Sequence, residues 1–132
     1  MSTEQNHKPS EAELEILQVL WESEPTNVRF VHEQLAKKKY VGYTTTLKQM
    51  QRMLDKALIK REGSGKSYVY SSNVSEQDIQ ASLFDKVVEG AFQGSAMDLV
   101  MHALGRGKAS AEELSELRDF LIKMEDDKKW IG

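Results

Sequence analysis

The stretch from Gly42 to Ser71 constrains this chain more than any other, because it joins a helical apolar period directly to a hairpin pattern. Leu47, Met50, Leu54 and Leu58 are spaced by three, four and four, which predicts a helix with one apolar stripe. At roughly 100° per residue, Thr45, Gln49, Arg52 and Lys56 point away from that stripe, with Lys48 on its flank. The outward face is therefore hydroxyl, amide and cation, and Asp55 is the one acid in the helix. Beyond Leu58, Ile59–Glu62 and Ser67–Ser71 are expected to pair across Gly63-Ser64-Gly65-Lys66, whose glycines admit the positive φ of a tight reversal. A basic-faced helix followed at once by a hairpin with cations near its tip suits a grip on a nucleic-acid duplex. A solvated helix face beside an ordinary hairpin would show the same pattern.

The distribution of charge separates these two readings. The net charge of −3 looks wrong for a nucleic-acid binder. Residues 1–28, however, carry −5, residues 29–68 carry +7 and residues 69–132 carry −5. That division concentrates positive potential on one part of the surface and keeps the whole protein soluble. It favours the nucleic-acid reading.

At 132 residues the chain fits one domain with an appendage, or two small packed units. No apolar run approaches the roughly 20 residues that span a bilayer. The N-terminus lacks the basic and apolar regions of a secretory signal. There is no cysteine, hence no disulfide, thiolate nucleophile or thiolate metal site. A cytoplasmic location is expected. No phosphate-binding glycine loop, His-Glu-x-x-His motif or nucleophile–base constellation is present, so neither an enzyme nor a cofactor or metal site is expected.

Ahead of the central stretch, residues 1–9 read as a frayed polar arm. Ser10 and Glu13 form a capping box that opens a first helix with Leu14, Leu17, Leu20 and Trp21 on its buried face. Thr26 or Asn27 caps a second helix lined by Val28, Val31 and Leu35 and closed by Lys37–Lys39. His32 has no partner at metal-ligand spacing and reads as a boundary histidine. Helix, helix, turn, helix and hairpin together describe a winged helix-turn-helix over residues 10–72, with the Gly63–Lys66 turn as the wing tip.

Residues 73–129 read as three further helices, opened by Ser75 with Asp78, Ser95 with Asp98 and Ser110 with Glu113. Ile79, Leu83 and Val87 continue the apolar stripe of the first. Leu114, Leu117, Leu121 and Met124, with Phe120 and Trp130, line the last. Roughly sixty residues bury too little to fold alone, so these stripes must pack on another surface, and a second copy of the chain is the natural one. The expected fold class is mainly α with a small β-hairpin wing: a winged helix-turn-helix followed by a helical dimerisation region.

Tyr43-Thr44-Thr45, Arg52, the Gly65-Lys66-Ser67-Tyr68-Val69-Tyr70 run, the Glu13–Trp21 pattern and the Ser110–Leu121 helix resemble the penicillinase/methicillin-resistance repressor (BlaI/MecI) family from about Ser10 to Lys129. The resemblance implies a homodimeric winged-helix repressor that binds palindromic operators and dimerises through its C-terminal helices. Three departures stand out. His102-Ala103 occupies the place of the Asn-Phe bond cut in proteolysed members, so the resemblance does not carry that cleavage over. The absence of cysteine excludes the thiolate copper sensing of other relatives. Ala57-Leu58 replaces the usual glycine at the end of the third helix. Neither an inducing protease nor an antirepressor can be named from the residues.

The chemistry of base edges then sorts the candidate residues. Thr45, Lys48, Gln49 and Arg52 suit base reading, since Arg and Lys match guanine O6/N7, Gln matches adenine N6/N7 and a threonine methyl matches that of thymine. Thr44, Lys56, Arg61, Lys66 and Ser67 are expected to hold phosphates, with Lys37–Lys39 assisting. Ile79, Leu83, Val87, Leu114, Leu117, Leu121 and Met124 are the expected dimer interface. A winged-helix interaction module docking an acidic protein is the alternative of another class. An RNA-binding module would need Tyr68 and Tyr70 as an exposed stacking platform, and a core-facing role suits them better.

Overall fold

The computed structural model of the protein describes residues 8–131, with the side chains of residues 129–131 outside the description. Most of the arm expected over residues 1–9, and the side chain of Trp130, therefore lie outside the described residues. Pro9, placed by the sequence at the end of that arm, is buried. The order is α1 (Glu11–Ser23), α2 (Val28–Ala36), α3 (Tyr43–Asp55), β1 (Ile59–Glu62), a short 3-10 turn (Gly65–Ser67), β2 (Val69–Ser72), α4 (Glu76–Ala91), α5 (Ala96–Gly105) and α6 (Ala111–Ile131). Two compact units divide within α4, the first reaching Phe84 and the second beginning at Asp85. This division falls later than the boundary expected between residues 72 and 73.

The first unit is a winged helix closed on its own core. Ser10 caps α1 through a reciprocal box: Glu13 N–H donates to Ser10 Oγ (3.1 Å) and Ser10 N–H to Glu13 Oε1 (2.9 Å). Asn27, not Thr26, caps α2 by accepting from Phe30 N–H at 2.8 Å. Ile16, Leu17 and Leu20 of α1, Val28, Val31 and Leu35 of α2, Met50 and Met53 of α3, and Leu58, Ile59 and Tyr70 of the hairpin fill the core. Leu14, expected on the buried face of α1, is half-buried, and Ile16 takes its place. Trp21 is half-buried, and its Nε1–H donates to Val74 O at 3.1 Å.

The hairpin is shorter than the sequence suggests, with Ile59 opposite Ser72 and Glu62 opposite Val69. The 3-10 turn takes up Ser67, and its amide donates to Ser64 O at 3.0 Å. Gly63 has φ +99°, and a Cβ there would meet Ser67 O at 2.6 Å, so the reversal admits only glycine at this position. Tyr70 pairs again on its other side: Thr26 N–H donates to Tyr70 O at 3.0 Å and Tyr70 N–H to Thr26 O at 2.7 Å. That bridge anchors the wing to the loop between α1 and α2.

In the C-terminal helices, the three serine caps form as expected for their first half, each accepting from the backbone three residues on. Only Ser110 completes the reciprocal box, with Glu113 Oε1 accepting from Ser110 N–H at 2.8 Å. Among the described residues of the second unit, Val88 alone is buried. Val87, Met97, Val100, Met101, Leu114, Phe120, Leu121, Ile122 and Met124 are exposed. Ile79, one of the expected dimer-interface residues, is buried, and Leu83 and Leu117 are half-buried. No described helix is long and apolar enough to cross a membrane.

Candidate nucleic-acid interface

The orientation of α3 decides which side chains it can offer. Its buried residues are Thr46, Met50 and Met53, not the predicted Leu47, Met50, Leu54 and Leu58. Leu47 and Leu54 flank the core, and Leu58 lies beyond the end of the helix. Thr46 can be buried because its hydroxyl has partners: Gly42 O at 3.5 Å and His32 Nδ1 at 3.3 Å. The buried face is therefore turned by roughly 80° from the predicted one, taking about 100° per residue. The outward face turns with it. Thr44, Thr45, Lys48 and Arg52 are exposed, as is Gln51, which the leucine stripe had hidden from the sequence reading.

Gln49 is half-buried, and its Oε1 accepts from Arg52 Nη1 at 3.3 Å. The guanidinium keeps its remaining N–H donors for another acceptor. The pair thus presents one composite group instead of two independent readers.

Lys56 stands apart from the other candidates. It is the C-cap of α3, and its Nζ lies 2.7 Å from Oε2 of Glu13, whose side chain is 4% exposed. Burial alone would raise the Glu13 pKa. The hydrogen bond from Lys56, the Ser10 bonds and the Lys56 charge outweigh it and hold the carboxyl below its ordinary value. Glu13 was expected only as a solvated capping acid. It is a tie between the start of α1 and the end of α3. Nothing local signals the pairing, since the partners lie 43 residues apart. Lys39 is similarly engaged, 2.6 Å from Glu15 Oε1.

On the wing, Arg61, Lys66 and Ser67 are exposed. The Arg61 guanidinium lies 4.0 Å from the centroid of the Tyr68 ring, a cation–π contact that orders the side chain on the wing. Tyr68 is half-buried and Tyr70 buried, so neither offers a free stacking platform. Across from the wing, Arg29 of α2 sits 5.8 Å from the Tyr43 ring, and His32 meets the same ring edge-on at 5.5 Å. Arg29 was not singled out from the sequence and Tyr43 only as part of the family resemblance, because the ring beneath the guanidinium belongs to another helix. Among the described residues, no group of three His, Asp or Glu side chains could hold a metal ion.

Comparison with known proteins gives this geometry its family. The penicillinase repressor family model matches residues 9–123. The chain belongs to the penicillinase repressor family. It is 26% identical over 120 residues to the penicillinase repressor of Bacillus licheniformis, covering 91% of this chain and 94% of that one. To the penicillinase repressor of Staphylococcus aureus it is 28% identical over 112 residues, covering 85% and 89%. To the transcriptional regulator BlaI of Mycobacterium tuberculosis it is 28% identical over 112 residues, covering 83% and 80%. The family is one of transcriptional repressors and not of enzymes.

Proposed function

We propose that this protein is a homodimeric transcriptional repressor of the penicillinase repressor family that binds palindromic operator DNA. The observation that carries the reading is the outward face of α3, where Thr44, Thr45, Lys48, Gln51 and Arg52 stand exposed beside a wing carrying Arg61 and Lys66. In this reading α3 enters the major groove. Thr45, Lys48, the Gln49–Arg52 pair and Gln51 face base edges, while Thr44, Arg61, Lys66 and Ser67 hold phosphates. Lys56 serves chiefly to tie α3 to Glu13, with its exposed half able to approach the backbone. The winged helix takes one half-site, and the exposed apolar side chains of α5 and α6 join two copies so that two half-sites are held at once.

Arg52→Ala tests the assignment. It should weaken binding to the operator by about 1–3 kcal/mol more than binding to random duplex, if its contact is bidentate to a guanine. The operator is obtained by selecting bound genomic fragments in the presence of competitor DNA, which also separates duplex recognition from docking of an acidic protein. Equal loss on both DNAs would make Arg52 a phosphate contact.

A further inference from the structure

Two grooves open on the winged-helix unit, and their linings differ in kind. The larger, about 640 Å³, runs between α1 and α2 and sets Glu15, Glu22 and Glu76 against the Lys37–Lys39 run. Its charges answer one another, as the Lys39–Glu15 pair demonstrates. The smaller, about 280 Å³, is bounded by the start of α2, the start of α3 and the wing tip. Arg29 and Lys66 line it together with Asn27, Tyr43 and Tyr68, and among the described residues no carboxylate is in its walls.

Several features make this second groove a seat for an anion. The two ion pairs among the described residues use Lys39 and Lys56, so neither Arg29 nor Lys66 is neutralised by one. Arg29 is held in place by the face of Tyr43, itself braced by the edge of His32, so part of its ordering is already complete before any ligand arrives. The Asn27 Oδ1 is occupied by Phe30 N–H, which leaves its amide hydrogens as donors. Tyr43 and Leu47, two further walls, lie on the same helix that offers Thr44 and Lys48. A duplex whose bases meet that helix carries its backbone past the flanks of the helix.

We propose that this groove seats one backbone phosphate of duplex DNA, with Arg29 supplying charge from α2 and Lys66 from the wing. The proposal rests on the duplex-binding reading above and adds Arg29, with Tyr43 as its positioning residue, to the contact surface. Because a phosphate carries no sequence information, the contact sets register and not specificity.

The test is a salt titration of binding to operator and to random duplex for the full chain, Arg29→Ala, Arg29→Gln and Arg29→Lys, each checked for unchanged circular dichroism. Arg29→Ala and Arg29→Gln should weaken both DNAs by the same factor and lower the slope of log affinity against log salt by about 1. The deficit should then shrink about fourfold between about 50 and about 200 mM salt. Arg29→Lys should keep the slope. Ethylation interference should lose one phosphate in Arg29→Ala that matters in the parent. An unchanged slope and ethylation pattern, with the parent binding normally, would overturn the phosphate seat alone. A parent protein with no affinity for duplex would overturn the functional reading and the seat with it.

Discussion

The two units of this chain handle apolar surface in opposite ways. In the first, Leu17, Leu20, Val31, Met50 and Met53 are fully buried among side chains of the same unit, and Tyr40, Tyr43 and Phe84 are its exposed aromatics. In the second, α5 and α6 keep Met97, Met101, Phe120 and Ile122 more than half exposed, and Val88 alone is buried among the described residues. One unit carries a core of its own. The other carries half of one, and an apolar surface of this extent on a small protein marks an interaction site. On the function proposed above, the contrast divides the labour: recognition belongs to the unit with its own core, and assembly to the helices that leave apolar surface exposed.

The substitution with the largest expected effect attacks the incomplete half. Leu121 is 50% exposed on α6, so an aspartate there does little to one chain on its own but puts an unpaired charge into a dimer contact. It isolates the interface better than Leu117, which is half-buried within its own chain. Leu121→Asp should give a monomer with intact winged-helix circular dichroism and operator affinity lower by about 10²–10⁴, since the second half-site is then no longer bound intramolecularly. Sedimentation and a binding titration on one sample check it. A variant that stays dimeric would assign the exposed helices some other partner and break the comparison.

The same contrast explains what could be read in the sequence. The winged helix was legible in outline because capping residues, 3.6-residue periodicity and a glycine turn are local signals, and Val28, Val31 and Leu35 fell where the period put them. The face of α3 was misjudged because buried Thr46 looks polar, and only Gly42 O and His32 show how its hydroxyl is satisfied. The Thr26–Tyr70 bridge, the Glu13–Lys56 pair and the Arg29–Tyr43 contact went unread for a shared reason. Each joins elements distant in sequence through one or two residues, too few to leave a period. The burial of Ile79 went unread because an apolar stripe does not say what covers it.

If the first unit is self-sufficient, its stability should depend on its own ties and not on protein concentration. Glu13 gives the next largest effect. A carboxyl held below its ordinary pKa stabilises the fold above the ordinary value of 4.5, and this contribution is lost as the pH falls through the lowered folded value. Glu13→Gln should remove about 1 kcal/mol at neutral pH, discounted because Lys56 is 48% exposed. It should also flatten the stability–pH curve below 4.5. Denaturant unfolding across pH at two protein concentrations checks both points. A variant whose deficit grows on dilution would place the tie in the assembly, not in the winged helix.

The smallest effect is expected at the C-terminal end of α3, where the resemblance to the repressor family calls for glycine and the chain has Ala57. The backbone there has φ +63°, the left-handed region that an L-residue with a Cβ enters at a cost of about 1–2 kcal/mol. The surroundings hold it there. Leu58 N–H donates to Met53 O at 2.9 Å and Ala57 N–H to Leu54 O at 3.1 Å, the pair of bonds that closes a helix through a left-handed residue. Asn73 then clasps the turn from outside, its Nδ2 donating to Ala57 O at 3.0 Å and its backbone N–H to Leu58 O at 2.9 Å. Ala57→Gly relieves the strain but frees the unfolded chain, which takes back about 0.5–1 kcal/mol. The net expectation is a gain of about 0.5 kcal/mol, seen as a rise of about 2–4 °C in the unfolding midpoint of the winged-helix unit. Operator affinity should be unchanged, because the turn carries none of the exposed side chains of α3. A loss of stability in Ala57→Gly would mean that the alanine methyl contributes packing worth more than the strain. The end of α3 would then belong to the close-packed core that sets the first unit apart from the second.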